Sequence, residues 1–197
     1  KINVRIYSPK KNDNDVKSVL LPLVVHFHGG GLVLGSLDAY DAVCRNLCAL
    51  TPAIVVSVDY RLAPEYTFPV ALEDSITAIK WAHENAESMG ADRGRFALVG
   101  DSAGGGLVAA ATQCLVSDPT IQVSFQVLVY PVTDWSSFSN SSYKNFGGGG
   151  YLLTKEMMNW FCECYFTTNS DRKDPRASPL LADEFDNLPP ALILTAG

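Results

Sequence analysis

The apolar residues of this chain fall into short dense segments, separated by longer segments in which they recur every three or four positions. Near the start, Ile2, Val4 and Ile6 alternate with polar residues, the pattern of a strand with one exposed face. The dense segments are rich in β-branched residues without alternation, which favours strands buried on both faces of a parallel sheet. These segments are 20–28, 53–59, 95–100, 124–130 and 191–196.

Four of the intervening segments have the apolar spacing of helices that pack against a sheet. They are 40–48, 70–86, 104–116 and 155–165. Two other segments predict irregular structure: the polar residues 10–17 indicate a loop, and the four glycines 147–150 indicate a flexible connection. Because strands alternate with helices and no linker interrupts them, the pattern predicts one α/β domain, a doubly wound and mostly parallel sheet.

Composition narrows the classes of function. The 197 residues carry 15 Lys and Arg against 21 Asp and Glu, a net charge of -6 with no basic run, which excludes an ordinary nucleic-acid binder. The longest apolar segment, 19–27, is too short for a membrane helix, which needs about 18 residues, so we expect no membrane span. Five cysteines without a regular framework favour reduced thiols and a cytoplasmic location, although the count leaves one disulfide open.

The strongest local signal for chemistry is the run Gly100-Asp101-Ser102-Ala103-Gly104, a G-x-S-x-G pattern between a predicted strand and a predicted helix. In that context the serine lies on a sharp turn that lifts its hydroxyl above the carboxyl edge of the sheet. A Cβ at Gly100 or Gly104 would collide with neighbouring backbone, and the Ala103 N–H can donate to a developing oxyanion. The plainer alternative is a strand–helix turn with Ser102 as helix cap.

A second signal is His28-Gly29-Gly30-Gly31, at the end of another predicted strand. Successive glycines allow the backbone to approach a ligand and to direct N–H groups at it, and this strand ends at the same sheet edge as Ser102. A flexible loop is the alternative, but the apolar residues 32–34 that follow do not resemble a solvated linker. Leu32, Val33 and Leu34 are therefore candidate substrate contacts.

Together these two motifs resemble the hormone-sensitive-lipase family of α/β-hydrolases. Further sequence blocks that match the family lie at 59–65, 68–69, 71–74, 130–134, 174–179 and 188–197. The resemblance covers nearly the whole chain. It implies a carboxylic ester hydrolase with Ser102 as nucleophile, oxyanion-hole amides at Gly29, Gly30 and Ala103, a small-molecule ester as substrate, and no metal or organic cofactor. It also implies that residues 60–65 form a structural corner.

A serine nucleophile needs a base and an orienting carboxylate, which in α/β-hydrolases follow it in the chain. All three histidines precede Ser102: we expect His26 to pack in the sheet, His28 to hold the glycine loop by hydrogen bonds, and His83 to be exposed on its helix. Asp134 is a candidate acid, but a turn residue is the favoured interpretation.

The resemblance accounts for the lack of a histidine after Ser102, because it implies that the catalytic Asp and His follow Gly197. It also implies that cap helices precede the first strand. Residues 1–197 are thus expected to be a single catalytic domain, truncated at both ends. Two alternatives stay open. One is a ligand-binding module without turnover, like the plant hormone receptor of the same family that has lost the catalytic His; the other is an amidase or acyl transferase. The sequence also leaves homo-oligomerisation open.

Overall fold

A six-stranded sheet forms the centre of the protein, in a computed structural model that describes residues 1–10 and 19–195. The strands are β1 (Asn3–Tyr7), β2 (Leu21–Phe27), β3 (Ile54–Asp59), β4 (Ala91–Asp101), β5 (Phe125–Val129) and β6 (Ala191–Leu194). Their order is β1-β3-β2-β4-β5-β6, with β1 antiparallel to β3 and all other pairs parallel. The predicted mostly parallel α/β sheet is confirmed. The predicted loop 10–17 lies, beyond Lys10, outside the described residues.

Among the described residues, five α-helices accompany the sheet: α1 (Asp41–Leu50), α2 (Val70–Glu84), α3 (Ala103–Leu115), α4 (Ser141–Phe146) and α5 (Lys155–Tyr165). Four were expected, whereas α4 has six residues and is too short to show a period. Asn140 caps it by accepting the Tyr143 N–H at 3.1 Å. Across residues 1–10 and 19–195, no helix combines the length and the apolar character that a membrane crossing requires.

The two faces of the sheet bury separate apolar clusters, because successive side chains of a strand point to opposite faces. Leu23, Val25 and Phe27 of β2 belong to a large cluster that includes buried residues of α2, α3 and α5. Val24 belongs to a smaller cluster with Cys44 and Cys48 of α1. Helices therefore cover both faces, which explains why the central strands read as unbroken apolar segments.

Strand register positions the two glycine-rich motifs. Phe27, the last residue of β2, pairs with Gly100 of β4, and both strands run in the same direction. His28, which directly follows β2, and Asp101, which ends β4, therefore lie side by side at the carboxyl edge of the sheet. Open α/β sheets bind their ligands at this edge.

A bidentate ion pair fixes the connection between β3 and α2. The carboxylate of Asp74 accepts the Arg61 backbone N–H at 3.0 Å, Nε–H at 2.8 Å and the terminal guanidinium N–H at 2.7 Å. The Asp74 side chain is 3% exposed. This pairing agrees with the structural corner that the family resemblance implied for residues 60–65.

Replacing the buried carboxylate with Asp74→Ala should lower the free energy of unfolding by about 2–3 kcal/mol, because three N–H donors lose their acceptor. Urea denaturation monitored by circular dichroism measures this change. Asp38→Ala is the matched control: Asp38 also lies 2.7 Å from an arginine, Arg5, but its side chain is 87% exposed. We expect a change within about 0.5 kcal/mol there. Equal losses in the two variants would contradict the prediction.

Candidate active site

Ser102 occupies a strained turn between β4 and α3. Its φ of 53° and ψ of -121° are rare for a residue with a side chain, and such strain persists only where surrounding bonds impose it. Here the Ser102 N–H donates to the Val129 carbonyl at 2.9 Å, and its carbonyl accepts the N–H groups of Gly106 and Val132 at 3.1 and 3.0 Å. The backbone is therefore held from both sides.

The Ser102 hydroxyl does not cap α3. The residue stands at the N-cap position, yet its side chain makes no capping hydrogen bond, and its backbone is not in the extended conformation usual for a cap. The alternative of an ordinary strand–helix turn with Ser102 as cap is therefore wrong. The turn instead leaves a half-buried hydroxyl available at the carboxyl edge of the sheet.

Gly100 and Gly104 make this turn possible, as the sequence predicted. A Cβ on Gly104 would collide with the carbonyl oxygens of Phe27 and His28, at the end of β2. A Cβ on Gly100 would collide with the carbonyl oxygen of Gly104 itself. Since backbone atoms cannot move aside as a flexible side chain can, only glycine lets the start of α3 lie this close to the sheet.

The Gly29 amide is already occupied. Its N–H lies 3.0 Å from Asp101 Oδ1 and 3.0 Å from the Tyr40 hydroxyl oxygen, and the Tyr40 hydroxyl donates to Asp101 Oδ2 at 2.8 Å. An N–H that is shared between two protein acceptors is not free for a substrate oxygen. The expectation that Gly29 is an oxyanion-hole donor is therefore not supported by this geometry, and the reason is the position of Tyr40.

Three other amides at this edge of the sheet have no protein acceptor among the described residues. Among the hydrogen bonds of the described residues, none uses the N–H of Gly30, Gly31 or Ala103. Gly30 has a φ of 122°, which glycine adopts readily, and its carbonyl accepts the Leu34 N–H at 2.8 Å, which closes the loop. Ala103 begins α3, where N–H groups have no partner within the helix and the helix dipole favours negative charge.

His28 holds the glycine loop, as expected, and cannot act as the base. Its Nδ1 lies 2.8 Å from the Gly29 carbonyl oxygen, to which a protonated Nδ1 donates. Its ring stacks on Tyr60 at 4.4 Å between centroids, and the Tyr60 hydroxyl donates to the His28 carbonyl at 2.7 Å. Burial lowers the pKa of His28, and its other ring nitrogen, Nε2, is buried without a partner.

The other two histidines are also structural. His26 is buried within β2 with its Nδ1 3.6 Å from the Cys44 thiol, and burial lowers its pKa to about 4. His83 was expected to be exposed, and this is wrong: it is 9% exposed and its ring lies 5.5 Å from that of Phe96. Phe96 precedes Asp101 by five residues, roughly 17 Å along the strand, so His83 lies far from Ser102.

The structure also places the remaining candidates, Asp134 and the three apolar residues after the glycine loop. Asp134 accepts the Ser136 N–H at 2.7 Å and is a turn residue, the interpretation that the sequence favoured. Of the three candidate substrate contacts, Leu32 is 3% exposed and belongs to the main core, so it offers no surface to a ligand. Leu34 is 49% exposed, and Val33 packs partly against the core.

The strained serine between strand and helix, facing a glycine loop with free amides, is the arrangement of an α/β-hydrolase. The sequence profile of the alpha/beta hydrolase fold matches residues 24–197. The chain belongs to that family, and within it to the hormone-sensitive-lipase type of carboxylesterase-like proteins. The resemblance inferred from the sequence is confirmed.

Individual relatives support the same family membership. An ethyl acetate hydrolase of Pseudomonas putida is 41% identical over 194 residues, which are 98% of this chain and 59% of the relative. An arylesterase of Saccharolobus solfataricus is 41% identical over 196 residues, 98% of this chain and 60% of the relative. A solved structure, the hyperthermophilic esterase from the archaeon Pyrobaculum calidifontis, is 43% identical with a TM-score of 0.90, covering 98% of this chain and 59% of its own. This chain thus spans about three fifths of the length of each.

The close approach of Gly104 to β2 can be tested by Gly104→Ala. Alanine is the better helix former, so helix propensity alone would stabilise α3. We expect instead a loss on the order of 3 kcal/mol in the free energy of unfolding, because the new Cβ meets the Phe27 and His28 carbonyls. Urea denaturation measures it. Gly148→Ala is the control, since nothing lies within 4 Å of a Cβ there. A Gly104→Ala protein as stable as the control would exclude this contact.

Proposed function

We propose that the intact protein is a serine carboxylesterase that hydrolyses short-chain carboxylic esters through an acyl-enzyme on Ser102. The observation that carries the proposal is the backbone of Ser102, held in a strained conformation with its hydroxyl uncommitted, beside amides without protein acceptors. A nucleophile and oxyanion donors at one sheet edge are the requirements of acyl transfer.

The reaction follows from these groups. A general base accepts the Ser102 proton as Oγ attacks the ester carbonyl, and the carbonyl π electrons move onto oxygen. The resulting oxyanion accepts hydrogen bonds from the N–H groups of Gly30 and Ala103, with Gly31 adjacent; one such donor is typically worth about 2.7–4 kcal/mol. The tetrahedral intermediate collapses, the alcohol leaves with the proton, and water then hydrolyses the acyl-enzyme to the acid.

The proposal also needs a general base and a carboxylate that orients it. None of the three histidines, all within the described part of the chain, is placed for this role. The relatives are longer than this chain, which covers 59% and 60% of the two named above, so their additional length has room for these residues.

Substrate size and location are proposed on two grounds. The relatives are named for small esters, ethyl acetate and aryl esters, which supports a small-molecule ester for this protein as well. The five cysteines, all within the described residues, are free thiols, which favours a reducing, cytoplasmic environment. Homo-oligomerisation stays open, as in the sequence analysis. The non-catalytic binding module has no specific observation in its favour, because the relatives named above are hydrolases.

Ser102→Ala should abolish hydrolysis of p-nitrophenyl butyrate by the intact protein, reducing kcat by at least about 10⁴-fold, because no other group can form the acyl-enzyme. Release of p-nitrophenol measures the rate. A fluorophosphonate probe should add its mass to the wild-type protein at the peptide that contains Ser102, and should not add to the variant.

Ser117→Ala is the matched control, since Ser117 is exposed after the end of α3, far from the sheet edge that holds Ser102. Its kcat should equal that of the wild type. If neither the wild type nor the control turned over esters, while both bound a short-chain ester or acid with measurable affinity, the binding-module alternative would replace the esterase. Amide hydrolysis faster than ester hydrolysis would indicate the amidase instead.

A further inference from the structure

Tyr40 links three segments that are distant in the sequence. It stands at the N-cap position of α1, and its ring lies between those of His26 and His28, at 5.6 and 5.4 Å between centroids. Its hydroxyl donates to Asp101 Oδ2 at 2.8 Å and accepts the Gly29 N–H at 3.0 Å. The residue therefore connects helix α1 to the glycine loop and to the residue directly before Ser102.

The consequence for the loop follows from peptide geometry. Gly29 has no side chain, so only its backbone groups can hold it. Its N–H is shared by Asp101 Oδ1 and Tyr40, and its carbonyl oxygen lies 2.8 Å from His28 Nδ1. In a trans peptide the N–H points opposite to the C=O. Fixing the Gly29 carbonyl on His28 therefore turns the Gly30 N–H to the opposite side, away from the buried imidazole.

Asp101 needs Tyr40 to stay in this arrangement. One carboxylate oxygen accepts the Gly29 N–H and the other accepts the Tyr40 hydroxyl. A partly buried carboxylate that loses one of its donors favours rotation toward water, where new donors are available. Such a rotation would withdraw the acceptor from Gly29. The electrostatic environment agrees with a protonated phenol as donor, because burial and Asp101 raise the pKa of Tyr40 far above its usual value.

We propose that Tyr40 is a positioning residue of the esterase site, which fixes the Gly29 amide through Asp101 and so aims the Gly30 N–H at the oxyanion. The inference rests on the proposed function of Ser102. Tyr40 touches no reacting atom in this proposal. Its contribution arises in the transition state, when charge develops on the carbonyl oxygen, and not in the binding of the neutral ester.

Tyr40→Phe removes the hydroxyl and keeps the ring. In the intact protein, we expect kcat for p-nitrophenyl butyrate to fall roughly ten-fold, the usual worth of one hydrogen bond, with KM within about two-fold of the wild type. The rate of inactivation by p-nitrophenyl methylphosphonate, whose phosphoryl oxygen occupies the oxyanion position, should fall by a similar factor. The Gly29 amide proton, followed by NMR hydrogen exchange, should exchange roughly ten-fold faster for the same reason.

Tyr7→Phe is a closely matched control. The Tyr7 hydroxyl donates to Asp41 Oδ1 at 3.0 Å, so it too joins a tyrosine to a carboxylate. Asp41 begins α1 and directly follows Tyr40 in the chain. The Tyr7 ring packs beneath α1 in the smaller cluster and has no bond to the glycine loop. The two variants should lose similar thermal stability, whereas kcat, phosphonate inactivation and Gly29 exchange should change only in Tyr40→Phe.

The outcomes separate the two proposals. If the wild type showed no turnover that depends on Ser102, the proposed function would fail, and the catalytic role of Tyr40 with it. If wild-type turnover were normal but Tyr40→Phe matched Tyr7→Phe in kcat and in Gly29 exchange, the role of Tyr40 would be refuted while the esterase stood. A rise in KM with unchanged kcat would likewise refute it, because the hydroxyl would then contribute to ground-state binding.

Discussion

The contact between Gly104 and the carbonyl oxygens of Phe27 and His28 is the constraint on which the rest of the site depends. It brings the N-terminus of α3 against the end of β2, although the residues that supply the contact are about 75 positions apart in the chain. Parallel pairing fixes which residues meet, since Phe27 and Gly100 are in register. Any larger residue at 104 would push the helix away from the end of β2 and from the glycine loop that follows it.

The two glycine motifs were predictable from the sequence because only glycine satisfies their backbone requirements. The strand–turn–helix context of Ser102 supplied the direction of the hydroxyl, and the parallel pattern of the strands placed both motifs at one edge. Which of the backbone amides have protein acceptors was not predictable. It depends on the Tyr40 hydroxyl, which reaches Asp101 across 61 positions of sequence, and on hydrogen bonds that no local pattern encodes. The sequence therefore did not reveal that the Gly29 N–H has two protein acceptors.

The error at His83 has a different cause. Exposure is the ordinary expectation for a polar residue on an amphipathic helix. His83, however, follows Ile79 by four positions and Ile76 by seven, on the face that packs against the sheet. That spacing was the signal that could have placed it. Burial beside the aromatic ring of Phe96 then lowers its pKa. All three histidines are thus used in packing or in holding backbone, which leaves the proposed reaction without a base among them.

The sheet topology limits the directions from which a base and a carboxylate can approach Ser102. Asp101 is in register with Val129 of β5, and Val129 with Leu194 of β6, so these three strands end at one level. Strands in a sheet are about 4.8 Å apart, and a residue just beyond Leu194 therefore lies roughly 10 Å from Asp101, within reach of a histidine that bridges to Ser102. Parallel connections return each later strand to this same edge. A base and a carboxylate carried by loops after such strands would approach Ser102 from the side opposite the glycine loop, because β2 and β5 flank β4 on different sides.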